Sequence, residues 1–78
     1  MEIKENVRKL LLELKKNMDR HINSDSLVSD GILDSFDIIS LVTELEGAFD
    51  IEIDPEYVMS ENFESVDAIA ELVEKCKD

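Results

Sequence analysis

Residues 34–49, DSFDIISLVTELEGAF, predict an amphipathic helix and with it an all-α fold. At about 100° per residue, one broad face of this segment is apolar, as expected for a helix that packs on a core. We expect the helix to begin at Ser35, with Asp34 as its N-cap and Asp37 at the positive end of the helix dipole. The apolar face contains Ile38, Leu41, Val42, Leu45, Ala48 and Phe49.

The opposite face of this helix is uncharged, with acidic residues along its edges. Such a face suits a protein partner that has basic residues around an apolar groove. The alternative is an ordinary surface with scattered apolar residues. The predicted docking residues are Phe36, Asp37, Ile39, Ser40, Thr43 and Glu46.

Downstream of residue 49, the sequence predicts an extended connector and two more helices. Asp54 and Pro55 indicate a cap and a first-turn proline, so a short third helix is expected over 55–59. Ser65 is expected to cap a fourth helix. Its apolar positions, at helical spacing, are Val66, Ile69, Ala70, Val73 and Cys76.

Upstream, the sequence predicts a first helix followed by a long ordered loop over 19–34 that is pinned to the core. The first helix carries an apolar stripe of Ile3, Val7, Leu10, Leu11, Leu14 and Met18. The loop has apolar anchors at Ile22, Leu27, Val28, Ile32 and Leu33. The expected fold is therefore a small four-helix bundle with a long loop after the first helix and a short third helix.

The length of 78 residues indicates one domain, 1–78, with too little material for a deep active site. A hydrolytic serine needs a positioned base, and the one histidine, His21, lies in the polar loop. A calcium-loop alignment on Gly31 places Val28 at a ligand position, so no metal site is expected. Cys76 has no second cysteine with which to form an internal disulfide.

The net charge of −12 is unevenly distributed. Six of the eight basic residues lie in the first twenty positions, whereas positions 21–74 hold fifteen acidic residues and no lysine or arginine. This charge repels nucleic acid and favours encounter with basic protein surfaces. No apolar run is long enough to span a membrane, and we expect a cytoplasmic monomer.

Ser35 is a candidate attachment residue because of its predicted place at the start of a helix. Unpaired backbone amides and the positive end of the dipole favour a phosphate ester there. Capping alone also explains a serine at a helix start, so the residues by themselves leave both interpretations open.

The sequence resembles the acyl carrier proteins, including peptidyl and D-alanyl carrier proteins, over essentially its whole length. The resemblance is carried by GILDSFDIISLVTELEGAFDIEI, residues 31–53, with its D-S-L-type motif, and by NFESVDAIAELV, residues 62–73. It implies that Ser35 carries a covalent 4′-phosphopantetheine arm, with Asp34 as the preceding motif residue. It also implies that a phosphopantetheinyl transferase attaches this arm from coenzyme A.

By the same resemblance, the protein is a non-catalytic carrier that holds acyl or aminoacyl groups as thioesters. Its partners would be ligases, synthases or transferases with basic docking patches, in fatty-acid, polyketide, peptide or D-alanine transfer pathways. Phe36 replaces the leucine or methionine common after the serine, and GILDSF looks closer to free-standing carriers such as the D-alanyl type.

Two alternatives remain open at the level of sequence. The chain could be a small acidic helical adaptor that binds protein without a prosthetic group. Ile38, Leu45, Val58 and Met59 could line a groove for the cargo, or could simply pack in the core.

Overall fold

The computed structural model describes residues 3–15 and 18–77, and within them it contains helices and turns but no strand. The α-helices are α1 (Ile3–Leu14), α2 (Ser35–Phe49) and α3 (Val66–Cys76). The all-α prediction is therefore confirmed. Three short 3₁₀ turns complete the regular structure, at Met18–Arg20, Pro55–Tyr57 and Ser60–Phe63.

The predicted four-helix bundle is wrong, because the expected short third helix over 55–59 is a single 3₁₀ turn. The Asp54 carboxylate accepts a hydrogen bond from the Glu56 amide at 2.9 Å, as its expected cap role requires. The Val58 amide, however, donates to the Pro55 carbonyl, three residues back, at 3.1 Å. Met59 is then extended, with φ −127° and ψ 148°. So short a segment cannot recover the cost of nucleating an α-helix.

Residues 18–34, the described part of the segment between α1 and α2, form a series of hydrogen-bonded turns that begins with a 3₁₀ turn, where the sequence predicts a long loop. Met18, expected on the first helix, instead begins the 3₁₀ turn and is fully buried there. The Leu33 amide donates to the Leu27 carbonyl at 2.8 Å, and both side chains are buried. Gly31 lies between them with φ +77°, which a residue with a Cβ rarely adopts. This segment therefore leads into Ser35 along an ordered path.

The core lies where α1 packs against both α2 and α3. Phe63 is the largest fully buried side chain and comes from the third 3₁₀ turn. Ala48, expected on the buried face of α2, is exposed. The other buried apolar residues are Val7, Leu11, Met18, Leu27, Leu33, Leu41, Leu45, Ile53, Val66, Ile69, Ala70, Leu72 and Val73.

The ends of α2 and α3 have specific caps. The Ser65 hydroxyl accepts a hydrogen bond from the Ala68 amide at 3.0 Å, which confirms Ser65 as the cap of α3. At the C-terminal end of α2, Asp50 adopts the left-handed conformation with φ 54°, and its amide donates to the Glu46 carbonyl. Within the described ranges, every helix is too short or too polar to cross a membrane.

Candidate functional site

Ser35 is the first residue of α2 and is exposed, as the sequence predicts. Asp34 is the N-cap, with extended backbone at φ −103° and ψ −174°. Its carboxylate accepts from the Asp37 amide at 2.9 Å, and the Asp37 carboxylate accepts from the Asp34 amide at 3.1 Å. This reciprocal pair is a capping box with aspartate at both positions. It fixes the backbone immediately before and after Ser35.

The Asp37 carboxylate also binds Lys15, the residue that follows α1. The Lys15 ammonium lies 2.8 Å from Asp37 Oδ2 and donates a second hydrogen bond to the Ile32 carbonyl at 2.7 Å. Burial alone would raise the pKa of Asp37, but the hydrogen bond and charge of Lys15 and the Asp34 contacts lower it overall. Asp37 is therefore charged at neutral pH and faces into the domain.

The first turn of α2 leaves two backbone amides available. Within residues 3–15 and 18–77, no hydrogen bond engages the amides of Ser35 and Phe36. Both belong to the positive end of a helix of 15 residues. An oxyanion attached near this end would meet free donors and a favourable dipole.

An open groove of about 630 Å³ adjoins Ser35. Asp34 and Ser35 are among the residues that line it, and Ser60 contributes to the lining from the third 3₁₀ turn. Of the four residues considered for a groove, Ile38 and Val58 line it, whereas Leu45 is buried in the core and Met59 is exposed outside it. The apolar lining is formed by Val28, Leu33, Ile38, Ile39 and Val58.

The outward face of α2 presents four of the six predicted docking residues. Phe36 is 82% exposed and Ile39 is 62% exposed, with Ser40 and Thr43 exposed beside them. The other two, Asp37 and Glu46, form contacts inside the domain. Glu46 accepts a hydrogen bond from the Ile53 amide at 2.9 Å and so holds the extended connector.

Glu64 is a site residue that sequence reasoning missed. Its carboxylate accepts from the amides of Val28 at 2.9 Å and Ser29 at 3.0 Å, and from the Ser29 hydroxyl at 2.6 Å. Its carbonyl accepts from the Leu27 amide at 2.9 Å. We call these contacts the Glu64 clamp. It ties the segment leading to Ser35 to the start of α3, and no local sequence pattern distinguishes Glu64 from the other acidic residues.

Lys15 was also missed, although the sequence holds a signal for it. Positions 21–74 contain no lysine or arginine, so a lysine or arginine that pairs with an acid of α2 must come from the first twenty residues or from positions 75–78.

Comparison with known proteins identifies a family and relatives for this chain. Residues 7–73 match the protein family described as "Phosphopantetheine attachment site". A stretch of 52 residues, 67% of this chain, is 44% identical to a D-alanyl carrier protein of Lactococcus lactis subsp. lactis and covers 66% of that protein. D-alanyl carrier proteins from two strains of Lactococcus lactis subsp. cremoris are 42% identical over 52 residues, with the same coverage of both chains. The match thus spans just under two thirds of each relative's length.

Proposed function

This chain belongs to the family of phosphopantetheine-attachment domains, the acyl carrier proteins, and from this premise we propose that Ser35 is its attachment residue. The prosthetic group is 4′-phosphopantetheine, joined covalently by a phosphopantetheinyl transferase. The chain is a carrier and not a catalyst. The family therefore favours a carrier over an adaptor without a prosthetic group.

The observation that supports Ser35 is its exposure on the first turn of a capped helix. The residues present fit a phosphate-linked group. The hydroxyl is accessible, two amides beside it have no hydrogen-bond partner among the described residues, and the groove offers apolar surface next to it. Asp34 would hold the helix start, and Val58, which lines the groove, would offer apolar contact to the arm.

The proposed attachment is a displacement at phosphorus. The Ser35 hydroxyl oxygen forms a bond to the coenzyme A phosphorus that bears the pantetheine, and the bond from that phosphorus to the pyrophosphate bridging oxygen breaks. Adenosine 3′,5′-bisphosphate leaves, and a base of the transferase takes the hydroxyl proton. No oxidation or reduction occurs, and no base from this chain is required.

The test of the site is intact mass spectrometry after incubation with coenzyme A and a broad-specificity phosphopantetheinyl transferase. We expect one added phosphopantetheine group on the natural chain and none on Ser35→Ala. Ser26→Ala is the matched control, since it removes a serine hydroxyl from the same segment and should be modified normally. Equal modification of Ser35→Ala would disprove the assignment.

For the cargo, we propose D-alanine. The attached arm supplies a terminal thiol that holds a carboxyl compound as a thioester. The similarity to D-alanyl carrier proteins supports this cargo. Asp34 in the lining of the groove and the net charge of −12 also suit an aminoacyl group, whose free ammonium is cationic. The groove is open to solvent, whereas a long acyl chain gains most from an enclosed apolar cavity.

The test of the cargo compares loading of the modified chain by purified ligases of different classes. We expect an ATP-dependent D-alanine ligase of a carrier pathway to add one D-alanyl group that hydroxylamine removes. L-alanine and fatty acids, offered with their own ligases, are the comparison substrates and should be loaded poorly. Efficient loading with a fatty-acyl or peptide-synthesis substrate in place of D-alanine would contradict this cargo while leaving the attachment site intact.

We also propose a docking surface, an oligomeric state and a cellular location for this chain. The outward face of α2, with Phe36 and Ile39 at its centre, is the proposed docking surface for the transferase and the loading ligase. We propose that residues 1–78 act as one carrier domain, as a monomer and in the cytoplasm. Size-exclusion chromatography with light scattering tests the oligomeric state.

A further inference from the structure

Lys15 makes two contacts that the proposed attachment chemistry does not use. Its ammonium bridges the Ile32 carbonyl at 2.7 Å and Asp37 Oδ2 at 2.8 Å. Ile32 lies three residues before Ser35, and Asp37 lies two residues after it. The side chain of the residue that follows α1 thus contacts the backbone before the proposed attachment residue and a carboxylate after it.

The pair between Lys15 and Asp37 differs from an ordinary surface ion pair. The side chains are 37% and 16% exposed, so solvent screens them less than it screens a fully exposed pair. By contrast, the ion pair between Lys4 and Asp67, which joins α1 to α3, has side chains 54% and 73% exposed. The first pair therefore orders its surroundings more strongly than the second.

Asp37 connects Lys15 to the start of α2. The same oxygen, Oδ2, that meets Lys15 also accepts the amide of Asp34, and the Asp34 carboxylate accepts the amide of Asp37. Without the ammonium, the capping box would retain two carboxylates close together with no counter-charge, and the Ile32 carbonyl would lose its donor. Both changes loosen the chain on either side of Ser35.

We propose that Lys15 is a positioning residue for the modification of Ser35, acting through the Ile32 carbonyl and the Asp37 carboxylate. This inference rests on the proposed attachment at Ser35. Lys15 does not touch coenzyme A in this proposal. It holds the serine in the orientation that the transferase requires, and orientation is a large part of the rate of a displacement reaction.

The test measures modification kinetics for Lys15→Met, Lys15→Arg and Lys4→Met, with coenzyme A and one transferase. Lys15→Met should lower kcat by about tenfold, with KM for the carrier within about twofold, because the docking face is unchanged. Lys15→Arg keeps a charged donor and should recover most of kcat. Lys4→Met removes the same charge from α1 away from Ser35 and should leave both constants unchanged.

Amide hydrogen exchange by NMR distinguishes local loosening around Ser35 from a general loss of stability. In Lys15→Met, the amides of Asp34 and Asp37 should exchange faster while the core amides of α3 keep their protection. If Lys15→Met does not fold, Lys15→Gln retains a donor for the Ile32 carbonyl and serves as the second variant. It should show an intermediate kcat.

The outcomes separate the two proposals. If Ser35→Ala abolishes modification and Lys15→Met keeps the natural kcat, the role of Lys15 is wrong and the attachment site is right. A change confined to KM in Lys15→Met would mean that Lys15 contacts the transferase, which also overturns the positioning role. If Ser35→Ala is modified normally, the attachment site itself is wrong.

Discussion

Asp34 closes the first turn of α2, and its contribution can be measured directly. Asp34→Ala removes the acceptor for the Asp37 amide and should lower the free energy of unfolding by about 1 kcal/mol. Asp34→Asn keeps a capping oxygen and should cost much less. Urea denaturation followed by circular dichroism compares the two, and equal losses would mean that the charge, and not the cap, is important.

Phe63 shows how much a residue in a 3₁₀ turn can contribute to the core. It is fully buried, so Phe63→Ala should lower the free energy of unfolding by about 3–5 kcal/mol. A domain of this length has roughly 4–12 kcal/mol in total, so the variant should be partly unfolded at 37 °C. Thermal denaturation measures this effect. Phe36→Ala, the same change at an 82% exposed position, should leave stability nearly unchanged.

At the scale of the elements, the Glu64 clamp predicts a pH-dependent stability. Hydrogen bonds from the Ser29 hydroxyl and amide, and from the Val28 amide, lower the pKa of Glu64 despite partial burial. Because the pKa is lower in the folded state, the clamp stabilises fully above the ordinary value of about 4.3 and is lost as pH falls through the lowered value. Glu64→Gln should therefore lower the urea midpoint at pH 7, and the difference should shrink below about pH 4.

The control for this experiment is Glu71→Gln, an identical change at an exposed position of α3. Its midpoint should stay close to that of the natural chain at both pH values. A loss of stability in Glu64→Gln that is the same at pH 7 and pH 3 would show that the charge of Glu64 does not contribute.

The two faces of α2 predict separate effects on stability and recognition. Phe36→Asp changes only the outward face, so helical content by circular dichroism should be unchanged. The KM for the transferase should rise by about tenfold, as for a contact near the centre of an interface. Leu12→Asp alters another exposed apolar residue, on α1, and should not change KM. Equal effects of the two variants would remove the argument for α2 as the docking surface.

At the scale of the whole molecule, the net charge of −12 predicts salt-sensitive encounter with basic partners. Raising salt from about 20 to about 500 mM should lower kcat/KM for modification by about tenfold, because screening shortens the reach of the charge to a few ångströms. Sucrose at matched osmolality is the control and should have little effect. A rate that does not depend on salt would mean that the charge does not steer association.

Much of the fold follows from local sequence patterns. Helical periodicity and cap chemistry predicted α2 from Ser35 and α3 after Ser65, because a cap needs only residues close together in the chain. The 3₁₀ turns were not predicted, since Pro55–Tyr57 satisfies the start signals of an α-helix but is too short to continue as one. Ala48 follows the apolar period of α2, but its side chain is exposed.

The candidate site was predictable only in part, because some of its contacts are local in the chain and others are long-range. Ser35, Asp34 and the exposure of Phe36 depend on the start and the periodicity of one helix. The contacts of Lys15 and Glu64 join segments 17 to 36 residues apart, and such pairings depend on the packed fold. Sequence patterns therefore identified Ser35 and its local cap, and missed Lys15 and Glu64, which tie the site to the rest of the fold.

The Glu64 clamp has a consequence for the order of events during protein synthesis. It joins residues 27–29 to residue 64, so the stretch of chain containing all of α2 lies between its two ends. A nascent chain on the ribosome that has not yet released residue 64 lacks this closure, and the approach to Ser35 cannot be held as it is in the finished domain. We therefore expect the proposed loading with phosphopantetheine only after residue 64 has emerged from the ribosome.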